Sequence, residues 1–266
     1  MTDSTIKSRS IKTSCLETRI QENASAQQTD FNAWIFKNIS VKKGHRVLEL
    51  CCGTGAQTLS FLKRVGKDGH VVALDISRQS LDSLNSKVPV SERSRLSLIE
   101  SDLDFFDESL VSHKIPEHSF DMIFCSYGLY YSKDAGSVLS RLKNWLKPDG
   151  SIIVVGPFGP NNEPLFRLLS DCRVKISSYV RFTSQTFMPE VVIPWGYLNA
   201  TSLSIKILEN KIFWKSPENI LSYWENTTFY NSRRKEAVQE KLIEHFLMND
   251  FFVNSKWVML VILKHD

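Results

Sequence analysis

The sequence predicts an α/β fold: a doubly wound, mostly parallel sheet of seven strands with helices on both faces. Three observations point there. Short apolar runs alternate with helical periodicity over residues 45–156, the pattern of parallel strands joined by right-handed crossovers. The first run, Val47-Leu48-Glu49-Leu50, leads into a tight turn holding Gly53 and Gly55, and a helical pattern follows at once. The next run, Val71-Val72-Ala73-Leu74, ends on Asp75. Two strands with acids at their ends, joined by a glycine turn and a helix, form half of a nucleoside-binding α/β unit.

Residues 1–10 are polar and expected to be disordered, and 11–40 read as helical, with Phe31, Trp34, Ile35 and Ile39 on one face. Residues 1–40 are thus an N-terminal helical segment and 41–156 the core. Within it, strands are expected over 45–51, 70–75, 96–100, 120–126 and 151–156. Helices are expected over 56–65, from Ser77 as N-cap to about Lys87 with Leu81 and Leu84 inward, and over 135–146. Lys147-Pro148-Asp149-Gly150 reads as the turn into the fifth strand.

Beyond 156 the rhythm changes. A long helix is expected over 161–179, an irregular aromatic stretch over 180–200, and a strand or hairpin over 202–214. Ser216-Pro217-Glu218 opens a helix, with serine as N-cap and proline in the first turn. Another helix spans 232–248 and a last strand 257–264. Residues 157–250 therefore read as a helical, aromatic cap inserted after the fifth strand and carrying the sixth, and 251–266 as the last strand returning to the sheet. The cap's aromatic residues, Trp195, Trp214, Tyr223 and Trp224 among them, either enclose a small-molecule pocket or build the cap's own core.

A chain of 266 residues with 42% hydrophobic side chains can bury a sizeable core, as one elaborated domain or two small ones. Its net charge of +4 is too weak to suggest a nucleic-acid partner. The densest basic run, Arg233-Arg234-Lys235, reads as a solvated helix face. The five cysteines fit neither a disulfide framework nor a metal pair, so reduced thiols, no metal and a cytoplasmic location are expected. No signal segment stands out and no apolar stretch reaches the roughly 18–20 residues of a membrane span.

The glycine turn narrows the ligand. A dinucleotide fingerprint needs glycines at 53, 55 and 58, but position 58 is threonine. No Gly-Lys-Ser/Thr follows to grip phosphate. What remains is Glu-x-x-x-Gly-x-Gly before a helix, with an acid 20 residues past the second glycine. That suits a ligand with a ribose and no diphosphate.

Glu49-Leu-Cys-Cys-Gly-Thr-Gly resembles the first motif of class I S-adenosylmethionine-dependent methyltransferases. Ser101-Asp102-Leu103, residues 120–126 and Leu146-Lys147-Pro148-Asp149-Gly150-Ser151 resemble later motifs of the same family, in the same order. The resemblance implies a Rossmann-like fold and S-adenosyl-L-methionine as cofactor. Asp75 then accepts from the ribose hydroxyls, Glu49 from the methionine ammonium, directly or through water, and Asp102 from the adenine amine. Ile76 and Leu103 flank the base, and Cys51, Gly53, Gly55 and Ser126 complete the cofactor set. Glu49 read as a structural acid remains an alternative, as do Asp104 or Asp107 in the role of Asp102. Asp121 is read as structural. Cys51 stands where the family most often has a glycine, and its backbone is expected to stay out of the left-handed region.

Methyl transfer from a sulfonium needs alignment and exclusion of water more than a fixed catalytic residue. Tyr127, Tyr130 and Tyr131, after the fourth strand, are the acceptor-side candidates; packing under the following helix is their alternative. A nucleophilic Cys125 is disfavoured, and His113, His118 and His245 read as exposed or packed. The architecture is similar to the small-molecule branch that includes trans-aconitate and malonyl-carrier-protein methyltransferases. The expectation is methyl transfer to O or N of a small metabolite, with no membrane partner. An RNA or protein methyltransferase, or a catalytically silent cofactor-binding protein, are the competing functions.

Overall fold

The computed structural model describes residues 12–265; the expectation for residues 1–10 lies outside them. Seven strands, β1 (Arg46–Leu50), β2 (His70–Asp75), β3 (Leu96–Glu100), β4 (Phe120–Ser126), β5 (Leu146–Pro157), β6 (Ser202–Trp214) and β7 (Phe252–Lys264), form one sheet in the order β3-β2-β1-β4-β5-β7-β6. Strands β1 to β5 pair in parallel. Strand order reverses between β1 and β4, and such switch points open a crevice beyond the carboxyl ends. Leu50 lies opposite both Leu74 and Cys125, so β1, β2 and β4 end level with one another. No described helix is long and apolar enough to cross a membrane.

The chain divides into two compact units. The first comprises residues 35–156, 188–206 and 259 onward; the second comprises residues up to 34, 157–187 and 207–258.

In the first unit, β1 and β2 are buried along nearly their whole length, as strands covered on both faces must be. The helix Ala56–Val65 turns Thr58, Phe61, Leu62 and Val65 inward. Phe61 meets Phe36 and Phe124 edge-on at 4.9 and 5.1 Å. Burying each such side chain is worth about 1.5–3 kcal/mol. The helix Arg78–Lys87 starts as predicted: the Ser77 hydroxyl accepts the Ser80 N–H, and Leu81 and Leu84 face the core.

Four elements differ from expectation. Residues 147–150 are a bulge within β5, not a turn before it: Phe120 pairs with Leu146, Met122 with Ser151, and Asp149 takes φ 64° to absorb the extra residues. The helix expected over 161–179 stops after Asp171. Arg173 turns left-handed (φ 57°), and the N–H groups of Arg173 and Val174 cap the carbonyls of Ser170 and Leu169. Residues expected to be irregular are helical, with π turns at Phe182–Thr186 and Met188–Val192. A wider turn tolerates Pro189, which has no N–H for a normal helical bond. Finally, β7 begins at Phe252, because the polar run Asn254-Ser255-Lys256 hid its first half.

The second unit packs around Trp214, Tyr223 and Trp224 with Leu165, Leu169 and Leu242. Trp214 lies 5.0 Å from the Tyr223 ring. These aromatic side chains build that unit's own core. Its helix Pro217–Glu225 opens on Ser216, whose hydroxyl accepts the Asn219 N–H.

Candidate functional site

Beyond Leu50 the backbone of the first unit enters a turn with Cys51, Gly53 and Gly55 all left-handed (φ 55°, 52° and 85°). Cys51 therefore departs from the sequence expectation. A non-glycine residue held there costs on the order of 1–3 kcal/mol. The turn is locked by the end of β2: the Cys52 N–H donates to the Leu74 carbonyl at 3.0 Å and the Gly53 N–H to the Asp75 carboxylate at 2.8 Å. Gly55 begins the helix Ala56–Val65, and a β-carbon there would run into the Leu84 side chain.

Two acids flank this turn. Glu49 is 1% exposed, and its Oε2 accepts the Thr58 hydroxyl at 2.5 Å. Burial pushes its carboxyl up to about 8, opposed by the Thr58 bond and reinforced by nearby Asp75. Thr58, which breaks the dinucleotide fingerprint, is thus the partner of the buried acid. Sequence reasoning missed this role, although the threonine at the third-glycine position was its signal. Asp75 accepts the Gly53 N–H on one oxygen and the Ser77 N–H on the other, both at 2.8 Å. Burial raises its carboxyl against those backbone bonds. Among the described residues neither acid has a basic side chain within ion-pair distance. A carboxylate has about four lone-pair sites, so Asp75 keeps acceptor capacity on both oxygens.

After β3, Asp102 accepts the Asp104 N–H at 3.1 Å and so caps the short turn Leu103–Phe105. Its two competitors are engaged elsewhere. Asp104 accepts the Ser132 hydroxyl at 2.6 Å, and Asp107 pairs with Arg141. Ile76 is 39% exposed at the end of β2, whereas Leu103 is buried.

Beyond β4, Ser126 is half-buried and Tyr127 is left-handed (φ 55°), its N–H donating to the Val155 carbonyl at 2.8 Å. Tyr130 and Tyr131 lie in one short turn with ring centroids 4.7 Å apart. Gly128 faces the thiols: a β-carbon there would sit 2.6 Å from Cys51 Sγ and 3.2 Å from Cys125 Sγ. Its missing side chain is what accommodates Cys51, a compensation with no sequence signal. The Cys125 thiol and burial push the Cys51 thiol up, and burial does the same to Cys52. These thiols stay neutral. His113 and His118 are exposed, and His245, in the second unit, has a ring nitrogen 3.0 Å from the Phe251 carbonyl.

The turn and its acids lie in a segment, residues 47–150, that matches the methyltransferase-domain family. That match, 104 of the chain's 266 residues, makes residues 47–150 a methyltransferase domain. A demethylmenaquinone methyltransferase of Lactobacillus johnsonii is 31% identical to this chain over 140 residues, 52% of this chain and 54% of that protein. The chain thus spans about half the length of the curated relatives it matches. The methyltransferase domain also shares its fold with solved structures. A protein described as a putative methyltransferase from Bacillus halodurans superposes with a TM-score of 0.61 at 13% identity, covering 88% of this chain and 98% of that one. Phosphoethanolamine N-methyltransferase 2 of Haemonchus contortus, solved with S-adenosyl-L-methionine, gives 0.54 at 17%, covering 88% and 52%.

Proposed function

We propose that the protein transfers a methyl group from S-adenosylmethionine to an oxygen or nitrogen of a small metabolite. One observation carries the reading. At the switch point of the sheet, the buried Glu49 and the half-buried Asp75 have no basic side chain beside them among the described residues. Such acids suit a cationic nucleoside without phosphate. When bound, that cofactor would supply an electrophilic methyl group on a sulfonium, whose leaving group is a neutral thioether.

The chain's own residues bind and orient. Asp75 offers its remaining lone pairs to the ribose hydroxyls, while the Gly53–Gly55 turn lets backbone approach the methionine end. Ile76 and Leu103 flank the base, and Asp102 takes its amino group. Glu49, whose carboxyl burial raises to about 8 in the ligand-free protein, gives up its proton to face the methionine ammonium, directly or through water, when the cofactor binds. Cys51 and Ser126 line the cofactor's edge. Tyr127, Tyr130 and Tyr131 shape the acceptor side, where water has to be excluded. The small-molecule acceptor draws further support from the relative named for demethylmenaquinone.

Calorimetry with S-adenosylhomocysteine tests the binding step: no heat with pure protein would end the proposal. A metabolite-extract screen with labelled cofactor then tests the acceptor. Label appearing only in RNA or protein would replace the small-molecule reading.

A further inference from the structure

The second unit holds a cleft of about 550 Å³ that the methyltransferase reading does not use. Arg173, Lys175, Arg233 and Arg234 line it, together with Phe229 and Tyr230, and no carboxylate does. All its lining residues belong to that one unit. Arg233 and Arg234 are exposed, as the sequence predicts for a solvated face, and also border the cleft; Lys235 of the same run pairs with Glu225 at 2.8 Å.

Three features make this more than scattered surface charge. None of the four cations forms an ion pair among the described residues. Arg173 sits at a left-handed helix stop (φ 57°), a position where glycine is ordinarily favoured, so a cation is kept there at a conformational cost. Phe229 and Tyr230 are anchored from behind, against Phe166 at 5.3 Å and Trp224 at 4.9 Å, and so present a fixed apolar floor. Guanidinium forks bind phosphate oxygens in pairs, and converging cations favour a multiply charged anion. A volume of about 550 Å³ exceeds the need of a lone phosphate and lies within the range of metabolite sites.

We propose that this cleft binds a small phosphoester of at least two negative charges, whose apolar or ring part rests on Phe229 and Tyr230. The site does not depend on the methyl-transfer reading, and its test reads binding alone.

The probe is inorganic pyrophosphate, titrated into the full chain by calorimetry. Binding is expected, weakened about tenfold or more by Arg233→Gln with Arg234→Gln. Arg173→Gly is the sharper variant. It relaxes the backbone while removing a cation, so affinity should fall with Tm unchanged or raised. Lys67→Gln, on the other unit, loses one charge as Arg173→Gly does and should leave affinity unchanged. The proposal is overturned if pyrophosphate gives no heat, or if Lys67→Gln weakens binding as much as the cleft variants. It is also overturned if an RNA oligonucleotide or vesicles of anionic lipid bind and pyrophosphate cannot displace them.

Discussion

The two edges of the parallel sheet treat their acids in opposite ways. At the amino end of β4, Asp121 accepts the Arg46 N–H at 2.7 Å and the Lys147 ammonium at 2.8 Å. Partial burial pushes its carboxyl up, but those partners hold it below the usual carboxylate range. At the carboxyl ends of β1 and β2, Glu49 is buried and Asp75 half-buried; both lack a basic partner among the described residues, and burial raises both. A buried charge without a counter-charge is among the costliest features a fold can carry. The fold neutralises Asp121 with its own lysine and, among the described residues, gives Glu49 and Asp75 no counter-charge.

The contrast has a sign in pH, and Glu49 gives the largest expected effect. Its folded carboxyl, near 8, holds a proton more tightly than the usual 4.5 of an unfolded chain. Its contribution to stability is therefore fully present below about 4.5 and is lost as pH rises through about 8, by at most about 1.4 kcal/mol per pH unit. Asp121 runs the other way: its contribution is present above its usual range and is lost as pH falls through the lowered value. Urea unfolding across this range should show ligand-free protein weakening towards alkaline pH. Glu49→Gln should flatten that slope. A slope kept intact in the variant would erase the distinction between the edges.

Asp75→Ala comes next in size. Removing an acceptor for charged or hydroxyl donors costs about 1.5–3 kcal/mol, or roughly tenfold to a hundredfold in S-adenosylhomocysteine affinity. Asp121→Asn should lower stability, because it leaves Lys147 unpaired, yet leave that affinity unchanged. Equal affinity losses in the two variants, measured by calorimetry, would mean that both edges serve only the fold.

The ligand edge was largely legible in the sequence because its residues are close along the chain. Glu49, Gly53 and Gly55 span one turn, and Asp75 ends the next strand, so apolar runs and glycines were enough to place them. What was not legible depends on contacts between distant segments. The Asp75 carboxylate holds the Gly53 N–H, and Cys51 in the same turn is left-handed. The cationic cleft joins residues 173–180 to 228–234, and neither run alone marks a site. The break after Asp171 was hidden because arginine replaces the glycine that would signal a helix stop.

Cys51 and Gly128 give a smaller test, of whether the ligand edge is built as a unit. Gly128→Ala would place a β-carbon 2.6 Å from Cys51 Sγ, an overpacking worth about 1–3 kcal/mol of stability. Cys51→Gly should relieve the left-handed backbone at position 51 and stabilise by about 1 kcal/mol, less the packing of the lost thiol. If the glycine at 128 exists to house the thiol at 51, the two changes are not additive. Gly128→Ala should then cost little in a protein that already carries Cys51→Gly, with a coupling of about 1 kcal/mol or more. Cys125 Sγ, 3.2 Å from the same point, sets the floor on what remains. An undiminished cost in the double variant would assign Gly128 to the Tyr127 turn instead, and leave the thiol a passenger at the strand end.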